Sequence, residues 1–143
     1  MLISPTINNV HGRIRSITGT DPAAGDEISE TVPARRRWRL LTIKYSLVTD
    51  ETIVYRISRV YIDDGTNLLI SLYNDRTQEG SLTRDYHYIQ LPIDPITINT
   101  NTYLPLPNII LAAGFRLITD TLLLQDADNY SAPQLLVEEW IDP

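Results

Sequence analysis

The residues best suited to chemistry form a basic run near the start of the chain, VPARRRWRLL (residues 32–41), in which four arginines surround Trp38. Guanidinium groups beside an aromatic ring suit the phosphates and bases of a nucleic acid. The whole chain is acidic, however, with a net charge of −6, and an acidic chain repels a polyanion. The run also lacks the amphipathic helix that binds a membrane surface. The sequence therefore predicts neither a nucleic-acid nor a membrane partner.

The same arginines fit the entry to a β-strand. Pro33 precedes the run, where proline is tolerated because strand pairing has not yet begun. Trp38 is then expected to point inward, with Arg37 and Arg39 on the opposite face, where both can pair with carboxylates. Those carboxylates belong either to this chain, with the glutamates at 138–139 as candidates, or to a neighbouring subunit.

The remaining polar residues form no catalytic motif. The chain has no phosphate-binding glycine loop, zinc-protease helix motif or serine-hydrolase elbow. Its two histidines, His11 and His87, stand in different contexts, and His87 alternates with tyrosines as in a strand at a sheet surface. The lack of cysteine excludes disulfides and thiol nucleophiles. We therefore expect a protein without enzymatic activity, without a cofactor and without a metal.

Acidic turns and tyrosines leave alternatives open. The turn DADNYS (126–131) resembles half of a calcium loop but lacks the glycine and the terminal glutamate of an EF-hand. For this turn and for Asp63–Asp64, the other interpretation is an Asx turn, in which the side chain bonds to its own backbone. The eight tyrosines suit cross-strand packing, a subunit contact or a carbohydrate-binding surface.

From Asp26 onward, short runs of valine, isoleucine, threonine, tyrosine and leucine alternate with turn signals, which is typical of β-strands. The predicted strands cover residues 27–32, 37–49, 52–63, 67–73, 86–92, 96–104, 115–125 and 135–141. Eight short strands with prolines in the loops predict an all-β, antiparallel β-sandwich of jelly-roll type, with an immunoglobulin-like sandwich as the second option. The 143 residues suffice for one such domain.

The apolar pattern of the runs 37–49 and 52–63 predicts details of the second and third strands. The run 37–49 has apolar residues on even positions up to Leu40 and on odd positions from Leu41, which predicts a β-bulge there. The run 52–63 has a period of two, and we expect its apolar residues on the inner face. Those residues are Ile53, Tyr55, Ile57 and Tyr61, opposite Arg56 and Ser58. The tight turn at 50–51 predicts that the two runs pair as a hairpin.

Residues 1–25 differ from the rest because proline, glycine and asparagine interrupt scattered apolar residues. The apolar residues are too many for a solvated tail and too interrupted for a helix. We expect an extended arm over residues 1–25, lying either on its own sandwich, residues 26–143, or on a neighbouring chain. Its candidate contact residues are Ile3, Ile7, Val10, Ile14 and Ile17.

The stretch from Pro33 to Gly65 reads proline, basic residues, Trp-Arg, an aliphatic pair, a long predicted hairpin with an arginine, and an Asp-Gly turn. This order resembles small virion proteins of tailed bacteriophages. The end of the chain, from LPNIILAAG to LLVEEW, is similar to them too, so that the resemblance covers roughly residues 26–141. It implies a jelly-roll-like sandwich that forms homo-oligomers and attaches to a capsid or tail without catalysing a reaction.

Within that group, the favoured hypothesis is a capsid decoration (cement) protein. Such a protein commonly forms a homotrimer on the outer shell, where it bridges neighbouring subunits of the major capsid protein. Its contacts would be the arm residues above together with Arg35, Arg36 and Arg37. The alternatives are a neck, tail or baseplate accessory protein, a module that binds host carbohydrate, and a cupin-type enzyme. A cupin needs clustered histidine and glutamate ligands, which two distant histidines do not supply.

Overall fold

The computed structural model describes residues 11–143, and that range contains strands, turns and loops without any helix. Accordingly, no helix in the described range is long and apolar enough to cross a membrane. The strands are β1 (Arg13–Thr18), β2 (Ser29–Thr31), β3 (Arg36–Val48), β4 (Ile57–Asp63), β5 (Leu68–Ser71), β6 (Thr83–Ile89), β7 (Ile96–Ile98), β8 (Asn101–Pro105), β9 (Ile110–Leu111), β10 (Arg116–Leu122), β11 (Asn129–Tyr130) and β12 (Gln134–Ile141).

These strands form two sheets that pack together around one core. The larger sheet has the order β1-β12-β3-β6-β8-β7, with the short β9 and β11 also paired to β3, and the smaller sheet has the order β2-β10-β4-β5. The four-strand orders β1-β12-β3-β6 and β2-β10-β4-β5 are those of a jelly roll. This confirms the predicted all-β, jelly-roll-like sandwich. One pairing departs from the antiparallel rule, since β6 and β8 run parallel.

The predicted strand 96–104 is divided into β7 and β8. Asn99, in the turn between them, has φ 55°, in the left-handed region that asparagine tolerates better than most residues. The chain therefore reverses direction there, and β7 pairs antiparallel with β8 as a hairpin. This hairpin extends the larger sheet beyond β6.

The predicted bulge in β3 is confirmed. Strand β3 pairs with β12 in two registers, and Leu41 is the residue left without a partner between them. The extra residue reverses which side chains face the core, because neighbouring positions on a strand point to opposite faces. The buried apolar side chains of β3 are Trp38, Leu40, Ile43, Tyr45 and Leu47.

The predicted hairpin between the second and third runs is wrong, because β3 belongs to the larger sheet and β4 to the smaller one. Residues 49–56 cross from one sheet to the other. The predicted inner face of the third run is also wrong, since Ile53 and Tyr55 are exposed whereas Arg56 and Ser58 are fully buried. The predicted alternation of the two faces is confirmed, but the buried face is the one that carries Arg56, because Arg56 pairs with the buried carboxylates described below.

The predicted arm (residues 1–25) contains β1. Strand β1 pairs antiparallel with β12 over its whole length, so this part of the segment lies on the chain's own sandwich. Ile17 packs against the core, whereas Ile14 is exposed. The other three predicted contact residues, Ile3, Ile7 and Val10, lie outside the described residues.

Deletion of Leu41 tests the bulge. Without the extra residue, Trp38 and Leu40 would turn to the outer face, and we expect loss of cooperative unfolding or a loss of at least about 3 kcal/mol. The control is Leu41→Ala, which keeps the residue count and should cost about 1 kcal/mol. Urea unfolding followed by tryptophan fluorescence measures both, and equal stabilities of the two variants would contradict the assignment.

Candidate interaction surface

Arg56 is completely buried where the chain crosses from β3 to β4. Its Nε and Nη2 each donate to one carboxylate oxygen of Asp128 at 2.9 Å, and Nη2 also donates to Asp50 at 2.7 Å. Its Nη1 donates to the carbonyl oxygens of Thr52 and Val54 at 2.8 and 3.0 Å. These five hydrogen bonds match the five N–H donors of a guanidinium, so the buried cation is fully satisfied.

Asp128 is the other half of this centre and is buried as completely as Arg56. Besides the guanidinium, it accepts the backbone N–H groups of Asp50 at 2.9 Å and Gln125 at 2.8 Å. A carboxylate with both oxygens engaged in this way ties two loops together and offers no open position to a cation. The turn 126–131 therefore serves the ion pair, and among residues 11–143 no group of three histidine, aspartate or glutamate side chains is placed to hold a metal.

The crossover loop 49–56 is anchored by hydrogen bonds to the same centre. The Thr52 N–H donates to the Asp50 carboxylate at 2.9 Å, and this bond, together with the Arg56 guanidinium, holds the pKa of Asp50 below its ordinary value. Gly80 lies so close beneath the loop that an added Cβ would come within 2.7 Å of the Thr52 carbonyl oxygen. The tip of this anchored loop presents Ile53 almost fully to solvent.

At the opposite end of the sandwich, Arg37 and Arg39 lie on the outer face of β3, as predicted. Each guanidinium carbon sits 5.6 Å from the ring centroid of Trp140, so the indole is covered by two cations. Arg37 pairs with Asp142 at 2.9 Å, and Arg39 pairs with Glu138 at 3.1 Å. Both carboxylates belong to this chain.

Glu139 organises the inner side of the same end. Its carboxylate accepts the Trp38 Nε1–H at 2.8 Å and contacts the guanidinium groups of Arg15 at 2.9 Å and Arg36 at 3.4 Å. Burial favours the neutral acid, but the bonds from Trp38 and Arg15 outweigh it and hold the pKa of Glu139 below its ordinary value. The inward position of Trp38 is confirmed, and its indole N–H has a buried acceptor.

The predicted partner-binding arginines therefore fall into two groups. Arg36 and Arg37 pair with carboxylates of this chain, which is one of the two options that the sequence leaves open. Arg35 is exposed in the turn before β3 and has φ 64°, where its carbonyl oxygen accepts the N–H of Asp142. The arginine run therefore begins strand β3, and it also binds Asp142, which follows β12 at the end of the chain.

Four of the eight tyrosines form a layer inside the core, and for these the cross-strand packing interpretation is confirmed. They are Tyr45, Tyr86, Tyr88 and Tyr130. The Ser58 hydroxyl bonds to the hydroxyl groups of Tyr45 and Tyr130, each at 2.7 Å, and burial raises the pKa of all four tyrosines. His87 lies on the outer face of β6, stacked on Tyr103 at 5.0 Å, as expected of a histidine at a sheet surface.

An exposed apolar surface lies at β5, the edge strand of the smaller sheet. All four residues of β5 are exposed, with Leu68 and Leu69 exposed by 56% and 47%. Beside β5, a groove of about 430 Å³ opens between this strand and the segments that follow β6 and β8. We call it the β5 groove; its apolar lining includes Ile70, Leu72, Tyr73, Leu91, Pro105 and Leu106.

Strand β5 is also irregular. Ile70 pairs with Ile62 and Leu68 with Asp63, which leaves Leu69 as a bulged residue. A short, bulged edge resists pairing with a further strand. The β5 groove is therefore better suited to receiving side chains than to extending the sheet.

Sequence reasoning missed this surface because the run NLLISLY reads as an ordinary core strand. The one signal was three consecutive apolar residues (68–70), of which a strand can bury at most alternate members in a single-faced sheet. The buried role of Arg56 was missed for a related reason, since an arginine in a strand is ordinarily placed on the outer face.

The described part of the chain thus defines a β-sandwich with jelly-roll strand order, an internally paired set of arginines and an exposed apolar groove. A comparison with models of known protein families finds no match. Searches of curated proteins and of solved structures also find none.

Replacing Arg56 by methionine should destabilise the protein by about 3–5 kcal/mol, because Asp128 would stay buried without its cation. The control is Arg59→Met, which breaks the exposed pair with Asp120 and should cost less than about 1 kcal/mol. Urea unfolding at neutral pH compares the two variants. A loss for Arg56→Met no larger than that of the control would contradict the central role of this ion pair.

The lowered pKa of Glu139 predicts that the stability of the fold depends on pH. Because its folded-state pKa is depressed, its stabilising contribution is present above the ordinary glutamate pKa of 4.5 and is lost as the pH falls through the lower folded value. Wild-type stability should therefore fall below about pH 4.5, and it should fall less steeply in Glu139→Gln. Asp120→Asn, at an exposed pair, is the control, and identical slopes for wild type and Glu139→Gln would refute the assignment.

Proposed function

We propose that the chain is a non-enzymatic structural protein that assembles with other copies of itself and with a larger particle. The observation that carries this proposal is the exposed apolar β5 groove on the sandwich. A concave apolar surface of this kind is a feature of protein contact sites. The arginines support the same view. Arg36, Arg37 and Arg39 pair with carboxylates of this chain, so they do not form a positively charged patch for an anionic ligand.

The particular role we propose is that of a decoration protein on the outer shell of a tailed bacteriophage, present as a homotrimer. The sequence resemblance over residues 26–141 supports it, and so does the jelly-roll strand order. The proposed shell contacts are the exposed residues Ile14 and Arg35 together with the residues before them, Ile3, Ile7 and Val10. Binding to neighbouring capsid subunits would stabilise the shell by mass action.

Co-sedimentation tests the proposal directly. Purified protein is mixed with tail-free heads of the source virus that lack it, and separately with isolated tails. The expected result is saturable binding to heads, with a higher temperature of shell disruption for decorated heads. Binding to tails alone would replace the decoration role by the tail-accessory alternative, and binding to neither would overturn the virion assignment.

Self-association is tested separately with two matched variants. Leu69 in β5 and Ile110 in β9 are both 47% exposed, but only Leu69 belongs to the apolar edge. We expect Leu69→Ser to weaken the oligomer by roughly tenfold in dissociation constant, as for one buried aliphatic side chain, and Ile110→Ser to leave it unchanged. Sedimentation equilibrium measures both, and equal effects would contradict the assignment of the interface.

A further inference from the structure

The connection between β4 and β5 contains a chemically unstable pair of residues. Asp64–Gly65 is the only place in the sequence where glycine follows an aspartate or an asparagine. An aspartate before glycine isomerises readily in unfolded chains, because glycine has no side chain to shield its backbone nitrogen. Both residues are exposed, and Gly65 has φ 95°, which glycine adopts without strain. The pair therefore has the composition and the exposure of a modification site.

The modification proceeds through a cyclic imide. The Gly65 nitrogen attacks the side-chain carbon Cγ of Asp64, a C–N bond forms, and one carboxyl oxygen leaves as water with the acid proton and the amide proton. Water then opens the ring, and opening at the former backbone carbonyl gives isoaspartate, whose main chain runs through Cβ and Cγ. The first step needs an available Gly65 nitrogen and an uncharged Asp64 carboxyl group turned towards it.

The structure withholds both groups. The Gly65 N–H donates to the Asp63 carboxylate at 3.0 Å. The Asp64 carboxylate accepts the N–H groups of Thr66 at 2.9 Å and Asn67 at 2.7 Å, so it is turned towards the residues after Gly65. These backbone bonds hold the pKa of Asp64 below its ordinary value and keep the group charged at neutral pH. The Asx-turn interpretation of Asp63–Asp64 is thereby confirmed.

Arg116 holds Asp63 in place. The two carboxylate oxygens of Asp63 accept the Arg116 Nε–H at 2.8 Å and Nη2–H at 2.7 Å, and the Asp63 side chain is only 8% exposed. The same pair holds the pKa of Asp63 below its ordinary value, so its carboxylate is a weak base. The proton therefore stays on the Gly65 nitrogen, and the negative charge beside it opposes its loss.

We propose that Asp64–Gly65 is a latent isomerisation site and that Asp63 protects it by holding the Gly65 N–H. The connection comprises residues 64–67 and is closed by the Asp64 N–H, which donates to the Asn67 carbonyl oxygen at 3.2 Å. An isoaspartate would lengthen this main chain by one carbon and displace the carboxylate that the turn uses. The damage would fall on the start of β5, which lines the β5 groove. This protection requires no partner and holds for the isolated chain.

Ageing of the purified protein tests the proposal. Wild type, Asp63→Ala and Arg116→Met are incubated for weeks in warm neutral buffer beside a synthetic peptide of residues 60–70. Isoaspartate is quantified in the tryptic peptide 60–76 by chromatography and by enzymatic methylation. We expect wild type to isomerise at least about tenfold more slowly than the synthetic peptide, and Asp63→Ala to lose most of this difference.

Arg116→Met is the matched control, because it breaks the same ion pair but keeps the acceptor for the Gly65 N–H. Its rate should stay within about twofold of wild type. Equal rates in wild type and the synthetic peptide would overturn the proposal. An Asp63→Ala rate equal to that of wild type or of Arg116→Met would overturn it as well, since the hydrogen bond would then have no effect of its own.

Hydrogen exchange gives a second reading that needs no variant. The Gly65 N–H of wild type should exchange at least about tenfold more slowly than the same group in the synthetic peptide. Exchange at the peptide's rate would show that the amide is not held and would contradict the mechanism, even if Asp63→Ala does not fold.

Discussion

The buried pair of Arg56 and Asp128 is the interaction on which the rest of the fold depends. It fixes the crossover from β3 to β4 and thereby decides which face of β4 points inward. A buried ion pair adds little net stability compared with apolar residues, but a broken one is costly. The pair therefore disfavours other strand registers, because any register that turns Arg56 outward would leave the Asp128 carboxylate buried without a partner. The tyrosine layer continues this polar centre into the core through Ser58, which neighbours Arg56 on the same inner face.

The other end of the sandwich uses charge in a different way. There Trp38 and Trp140 lie on opposite faces of the larger sheet, and arginine–carboxylate pairs join β1, β3 and β12 around them. These pairs are partly exposed, so each contributes little by itself. Together they bring the first, third and last strands of the fold to one place, which closes the jelly roll. The run of arginines suggests an anion-binding site, but three of its members, Arg36, Arg37 and Arg39, form ion pairs within the chain and join neighbouring strands of the sheet.

Whereas these arginines pair within the chain, the surface around β5 is apolar and exposed. The β5 groove lies at one side of the sandwich, and the bulge at Leu69 limits the addition of a further strand at this edge. The same constraint explains why the edge can remain apolar without making the strand an aggregation template.

Local alternation and turn chemistry were sufficient to predict the all-β class, most of the strand positions, the bulge at Leu41 and the inward Trp38. It also placed Glu138 and Glu139 as candidate partners of the arginines. The sheet to which β4 belongs, the inner face of β4 and the apolar groove depend on contacts between distant parts of the chain, so no local pattern could predict them. Alternation states that two faces differ, but which one is buried depends on residues distant in the chain, here Asp128, which is 72 positions from Arg56. Exposure of β5 likewise follows from its place at the edge of a sheet, which no local pattern records.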